Sequence, residues 1–129
     1  MLTETFARVF LANASDLLSA IVFVHGVTSA AAIRSLLPYL SEPTTRSSLR
    51  YGWQVGCALY ATFANPAPPA LSAAAEEPLP PASLIEAAIA NGDEHVIKFT
   101  EARIRENAIS PSPIYGAAAR HALAVISRR

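Results

Sequence analysis

Cysteine is almost missing from this chain. Cys57 stands alone, so no internal disulfide and no zinc-finger spacing can form, which fits a reducing, cytoplasmic setting. Charge is also scarce, at 16% of residues, and it is balanced, with ten basic and ten acidic side chains. A neutral chain without a basic stripe lacks the means to bind nucleic acid by counterion release. Glycine is sparse, five in all, and forms neither a phosphate-cradling loop nor a G-x-G-x-x-G fingerprint. No serine sits in a nucleophile elbow. No run alternates with a period of two, and no turn of the Asn-Gly kind joins two such runs, so a hairpin-built sheet is excluded. No basic stretch leads the first apolar run, and the apolar segment 17–27 is short for a bilayer. Neither a secretory signal nor a membrane span is expected.

Apolar residues, by contrast, make up 52% of the 129 positions. That length suits one domain over 1–129 with one modest core. So little polar surface leaves apolar patches exposed, which points to a protein partner or a second copy of the chain. The periodicity is helical throughout and predicts an all-α bundle of about five to seven helices. A first amphipathic helix covers 1–13, with Leu2, Phe6, Val9 and Phe10 as its apolar side. Asn13 or Ser15 caps a second over 16–27, apolar all round and so expected to be buried on every side, His25 included. A third, capped by Thr28 or Ser29, covers 30–40, with Pro38 disturbing its last turn. A longer helix over 45–65 carries Leu49, Trp53, Gly56, Cys57 and Tyr60 at helical spacing, a stripe that suits core packing.

Residues 65–81 form a proline- and alanine-rich loop without periodicity. Ser83 and Glu86 have capping-box spacing for a short helix that Gly92 stops. The next helix spans 93–108, starting at Asp93. Its helical angle groups Val96, Ile97, Thr100, Ile104 and Ala108 on one side, and His95, Lys98, Phe99 and Ala102 on the other. Ser112 as cap and Pro113 at the first helical position start the last helix, 114–127.

Within the sixth of these predicted helices, His95 and Lys98 stand three positions apart, about one turn, on one face. Two readings apply. One is a solvated face, with Lys98 paired to Glu94 or Glu101. In the other, the face turns to a polar site where His95 and Lys98 handle protons or hold a metal. His25 strengthens the second, because a buried neutral imidazole offers a lone pair to a metal and needs a polar partner. Imidazole and carboxylate-like donors suit non-haem iron, manganese or zinc. His121 reads as a structural or exposed residue.

Three blocks carry a likeness to a known family: His25-Gly26-Val27-Thr28 with Ala32-Ile33-Arg34-Ser35-Leu36-Leu37-Pro38, then Leu49-Arg50-Tyr51-Gly52-Trp53-Gln54-Val55-Gly56-Cys57-Ala58-Leu59-Tyr60, then Asn91-Gly92-Asp93-Glu94-His95-Val96-Ile97-Lys98-Phe99-Thr100-Glu101-Ala102. In this order they resemble the C-terminal part of the questin oxidase-like family. The resemblance implies an oxidoreductase, a monooxygenase or dioxygenase that oxidises or opens rings of aromatic polyketide-like small molecules, with NADPH as a candidate co-substrate. It implies that His95 and a carboxylated Lys98 bind non-haem iron together with His25. It also implies that the family's other histidine ligands lie in an N-terminal half, so that the chain looks like a piece with an incomplete bundle and an incomplete metal site. Trp53, Tyr60 and Phe99 are candidate walls for an aromatic substrate. A non-catalytic helical packing module or partner subunit is the alternative.

Overall fold

The computed structural model describes residues 2–67 and 79–126. Six α-helices account for nearly all of them, with no strand among the described residues: α1 Leu2–Asn13, α2 Leu17–Leu36, α3 Glu42–Phe63, α4 Pro81–Asn91, α5 Glu94–Ile109 and α6 Pro113–Val125. The expected all-α bundle is the observed architecture. Most of the predicted 65–81 loop falls on residues 68–78 and lies outside the described residues.

The helix ends follow local chemistry. Asp16 starts α2 with a reciprocal capping box: its Oδ1 accepts the Ser19 N–H at 2.8 Å, and Ser19 Oγ accepts the Asp16 N–H at 3.1 Å. Gly92 ends α4 in the left-handed region, at φ 74°, where its N–H donates to the Ala88 carbonyl. Asp93 then caps α5 by accepting the His95 N–H at 2.8 Å.

Several expectations give way. The second and third predicted helices are one continuous helix, α2, followed by a single 3-10 turn at Leu37–Tyr39. Gly26 does not break it, and Thr28 and Ser29 bond to the preceding turn, at the carbonyls of Val24 and Gly26, instead of capping. Continuity also removes the length argument against a membrane span, since Leu17–Tyr39, 23 residues, is long and apolar enough to cross one by length and composition alone. Ser83 does not cap α4, which begins two residues earlier at Pro81. Ser112 is the N-cap residue of α6, but its hydroxyl donates to Glu4 Oε1 at 3.2 Å rather than to its own helix.

The core lies where α1, α2, α5 and α6 meet. Phe6 and Phe10 of α1, Phe23, Val24 and Val27 of α2, Val96 and Phe99 of α5, and Ile114, Tyr115 and Ala118 of α6 are all buried in one cluster. α3 takes almost no part. Gly56 is its only buried residue, set closely against the ring of Phe6. The stripe expected to pack in the core does so only in part: Gly56 and Trp53 meet the Phe6 ring, Trp53 stacking on it at 6.2 Å while half exposed, and Leu49 and Tyr60 are exposed. Its attachment needs only a narrow strip of contact, because Gly52 and Gly56 let the helix lie close to Ile33 and Phe6.

Candidate functional site

α2 and α5 pack side by side, and their seam brings together two imidazoles seventy positions apart in sequence. The rings of His25 and His95 meet edge to face, with centroids 5.6 Å apart. His25 is exposed, contrary to the expectation of burial. The cause is the helical phase of α2: Ala20, Phe23, Val24, Val27, Ala30 and Ala31 form the buried face, while His25 belongs to the outward stripe with Leu18, Ser29 and Ala32. An apolar composition therefore conceals a one-sided helix.

His95 is oriented by its neighbour. Nδ1 of its ring lies 3.0 Å from Asp93 Oδ1. An ionised carboxylate only accepts, so Nδ1 carries the hydrogen and the lone pair is left on Nε2. Burial opposes ionisation of Asp93, but it is outweighed by bonds from the His95 backbone N–H and ring, and the carboxyl is held below its ordinary value of 3.8. The cap of α5 and the tautomer of His95 thus depend on one carboxylate.

Lys98 takes the solvated arrangement. It is well exposed, and its Nζ donates to Glu94 Oε2 at 2.6 Å. It still borders the same seam, in a shallow groove with Thr28 and Ala32 on the α2 side and Ile97, Glu101 and Arg105 on the α5 side. Arg105 Nη1 donates across this groove to Ser35 Oγ at 2.8 Å. His121 stands apart, its Nε2 2.6 Å from the Ala14 carbonyl oxygen.

The donors at the seam do not fit a resident iron on their own. Two imidazoles and an amine engaged by Glu94 fall short of the two histidines and one carboxylate that the simplest such site needs. Among the described residues, no three of His, Cys, Asp or Glu come together to hold an ion. The candidate substrate walls are also scattered: Phe99 is wholly buried against Phe10, Trp53 stacks half exposed on Phe6, and Tyr60 is exposed on α3.

The helical angle misplaced one face of α5. Ile97 and Ala108 are exposed, and the inward positions continue from Val96 and Phe99 to Thr100, Ala102, Arg103 and Glu106. Two charged residues therefore lie buried where an apolar stripe was expected to end. Thr3 Oγ1 donates to Glu106 Oε2 at 2.9 Å, Arg34 pairs with the same oxygen at 3.3 Å, and the Tyr115 hydroxyl lies 3.2 Å from Thr3 Oγ1. The spacing 99, 103, 106 extends the buried stripe at helical intervals, a signal legible only if charge is allowed inside.

No family model, curated protein or solved structure matches the chain.

Proposed function

We propose that this chain is one part of an oxidoreductase of the questin oxidase-like kind, supplying His25 and His95 to a site that groups outside the described residues complete. The observation that carries the reading is the meeting of two imidazoles from separate helices, one of them with its tautomer set by Asp93. Paired imidazoles with a carboxylate behind one ring are suited to hold a metal or to move a proton. Within that site His95 is the proton-handling group, and Lys98 with Glu94 forms a charged rim beside it. The chain's own donors do not fit a complete iron site, so any metal there would need further ligands. The substrate class is an aromatic polyketide-like molecule, with NADPH as the candidate reductant.

The test is titration with zinc, a diamagnetic stand-in for ferrous ion, following the three histidine rings by NMR. His25 and His95 are expected to shift together while His121, held by the Ala14 carbonyl, stays in place. Silence at His25 and His95, or equal movement of His121, overturns the pair. Oxygen uptake on a hydroxyanthraquinone with NADPH and ferrous ion, lost in His95→Ala, is the activity that the completed site would show.

A second reading, a helical module that only packs, is favoured by α3. Tyr51, Trp53 and Val55 are each at least half exposed on that helix, and Tyr39 just before it is 85% exposed. Apolar surface of that extent on one helix of a small protein suits a partner.

A further inference from the structure

Across α5 from the histidine seam, α4, α5 and α6 enclose a cleft of about 530 Å³. Its walls are mostly apolar, with Leu84 from α4, Ile104 from α5, and Pro113 and Gly116 from α6. Arg103 and Tyr115 form the inner wall. Arg103 is only 1% exposed, and its guanidinium sits between two rings, 5.2 Å from the centroid of Phe99 and 4.9 Å from that of Tyr115. Its one hydrogen bond is a long one, from Nη1 to the Thr3 carbonyl at 3.4 Å. Nε and Nη2 are buried with no partner among the described residues.

A buried guanidinium with two idle donors is costly, since each has given up water without replacement. Burial lowers the Arg103 pKa to about 10, against the pull of Tyr115 and Glu106, so the group remains cationic at neutral pH. Glu106 does not neutralise it directly, because its carboxylate is engaged by Thr3 and Arg34. The other polar groups of the wall are also engaged: Asn107 Oδ1 accepts the Ser112 N–H, Ser112 Oγ donates to Glu4, and the Tyr115 hydroxyl pairs with Thr3. Among the described residues of this wall, only Arg103 has donors that are both buried and idle.

The geometry points to a binding site for an organic monocarboxylate with an apolar body of aryl size, its carboxylate taken by Arg103 and its body by the α4–α6 walls. One cation matches one negative charge, and a flat carboxylate suits the fork of Nε and Nη2. The cleft volume is in the range of small-molecule sites, and its apolar lining serves a hydrocarbon body. Both donors are shielded from water, so a ligand must press its head group into the wall. That favours a weakly hydrated organic acid over a compact, strongly hydrated phosphate. The site is independent of the histidine seam.

The experiment is a calorimetric titration of the chain with 2-naphthoate and, separately, with the uncharged 2-naphthalenemethanol. The acid is expected to bind saturably and at least about tenfold more tightly than the alcohol. Arg103→Met, close in length and without charge, is expected to erase that preference. Should Arg103→Met fail to fold, Gly116→Leu decides. A Cβ at Gly116 meets nothing within 4 Å, so the longer side chain fills the cleft without a clash at its base and is expected to weaken the acid by about tenfold or more. Equal binding of acid and alcohol, no saturable binding of the acid, or acid binding that Gly116→Leu leaves unchanged overturns the proposal.

Discussion

Asp93 shows how much one side chain can set. Its Oδ1 accepts both the His95 backbone N–H, as the cap of α5, and the Nδ1–H of the same residue's ring. Asp93→Ala is therefore expected to cost about 1 kcal/mol through the lost cap, read by urea unfolding. The pH dependence follows from the direction of the shift. The folded carboxyl titrates below its ordinary value of 3.8, so its stabilisation is fully present above that value and is lost as pH falls through the lower, folded one. The difference between Asp93→Ala and the parent should thus shrink toward zero in strong acid. A difference that stays constant down to about pH 2 would show that the cap does not depend on the charge. Asp93 was legible from sequence as a helix start, because capping is local. Its bond to the His95 ring was not, since the rotamer that brings the ring to Asp93 depends on what α2 places against it.

At the scale of elements, the sequence marks helices well where an end has its own chemistry, as at Gly92 and Asp93, and poorly where it has none. Gly26, Thr28 and Ser29 look like an interruption, yet α2 runs through them because α1, α3 and α5 all pack along its length. Gly26 then sits inside a helix without serving a turn, and a Cβ there would meet only Phe6 Cγ, at an ordinary 4.0 Å. Gly26→Ala is expected to raise stability by about 0.5–1 kcal/mol, because alanine has less backbone freedom to lose on folding. Thermal unfolding checks this. A lower midpoint would mean that the segment does not stay helical in solution and that two shorter helices, as the sequence suggests, are nearer the truth. The phase of α5 escapes apolar periodicity for a different reason. Apolar periodicity cannot show that Arg103 and Glu106 belong inside, because the groups that accommodate them, Thr3, Arg34 and Tyr115, lie far away in sequence or on another helix.

For the whole molecule, composition and structure agree on one imbalance. A chain that is 52% apolar cannot hide all of that surface in a bundle of this size, and the excess is concentrated on α3 and the turn before it. Helical spacing alone could not say which apolar stripe is the core and which is surplus; α3 has as regular a stripe as any other helix. The glycines at 52 and 56 settle it physically, since they let α3 rest on α2 and α1 through its narrowest edge and leave most of its bulky residues exposed, Trp53 stacking half exposed on Phe6. If that face covers itself by pairing with a second copy, sedimentation velocity should show association rising with concentration. Tyr51→Lys combined with Val55→Lys should then weaken the association at least about tenfold. Both residues are exposed and lysine is a good helix former, so the fold should keep its stability to within about 0.5 kcal/mol. A parent chain that stays monomeric to about millimolar concentration would rule out self-pairing, since a face that needed covering by its own copy would be covered by then. Association that survives both lysines would place the contact elsewhere, with the 85%-exposed Tyr39 as the next residue to change.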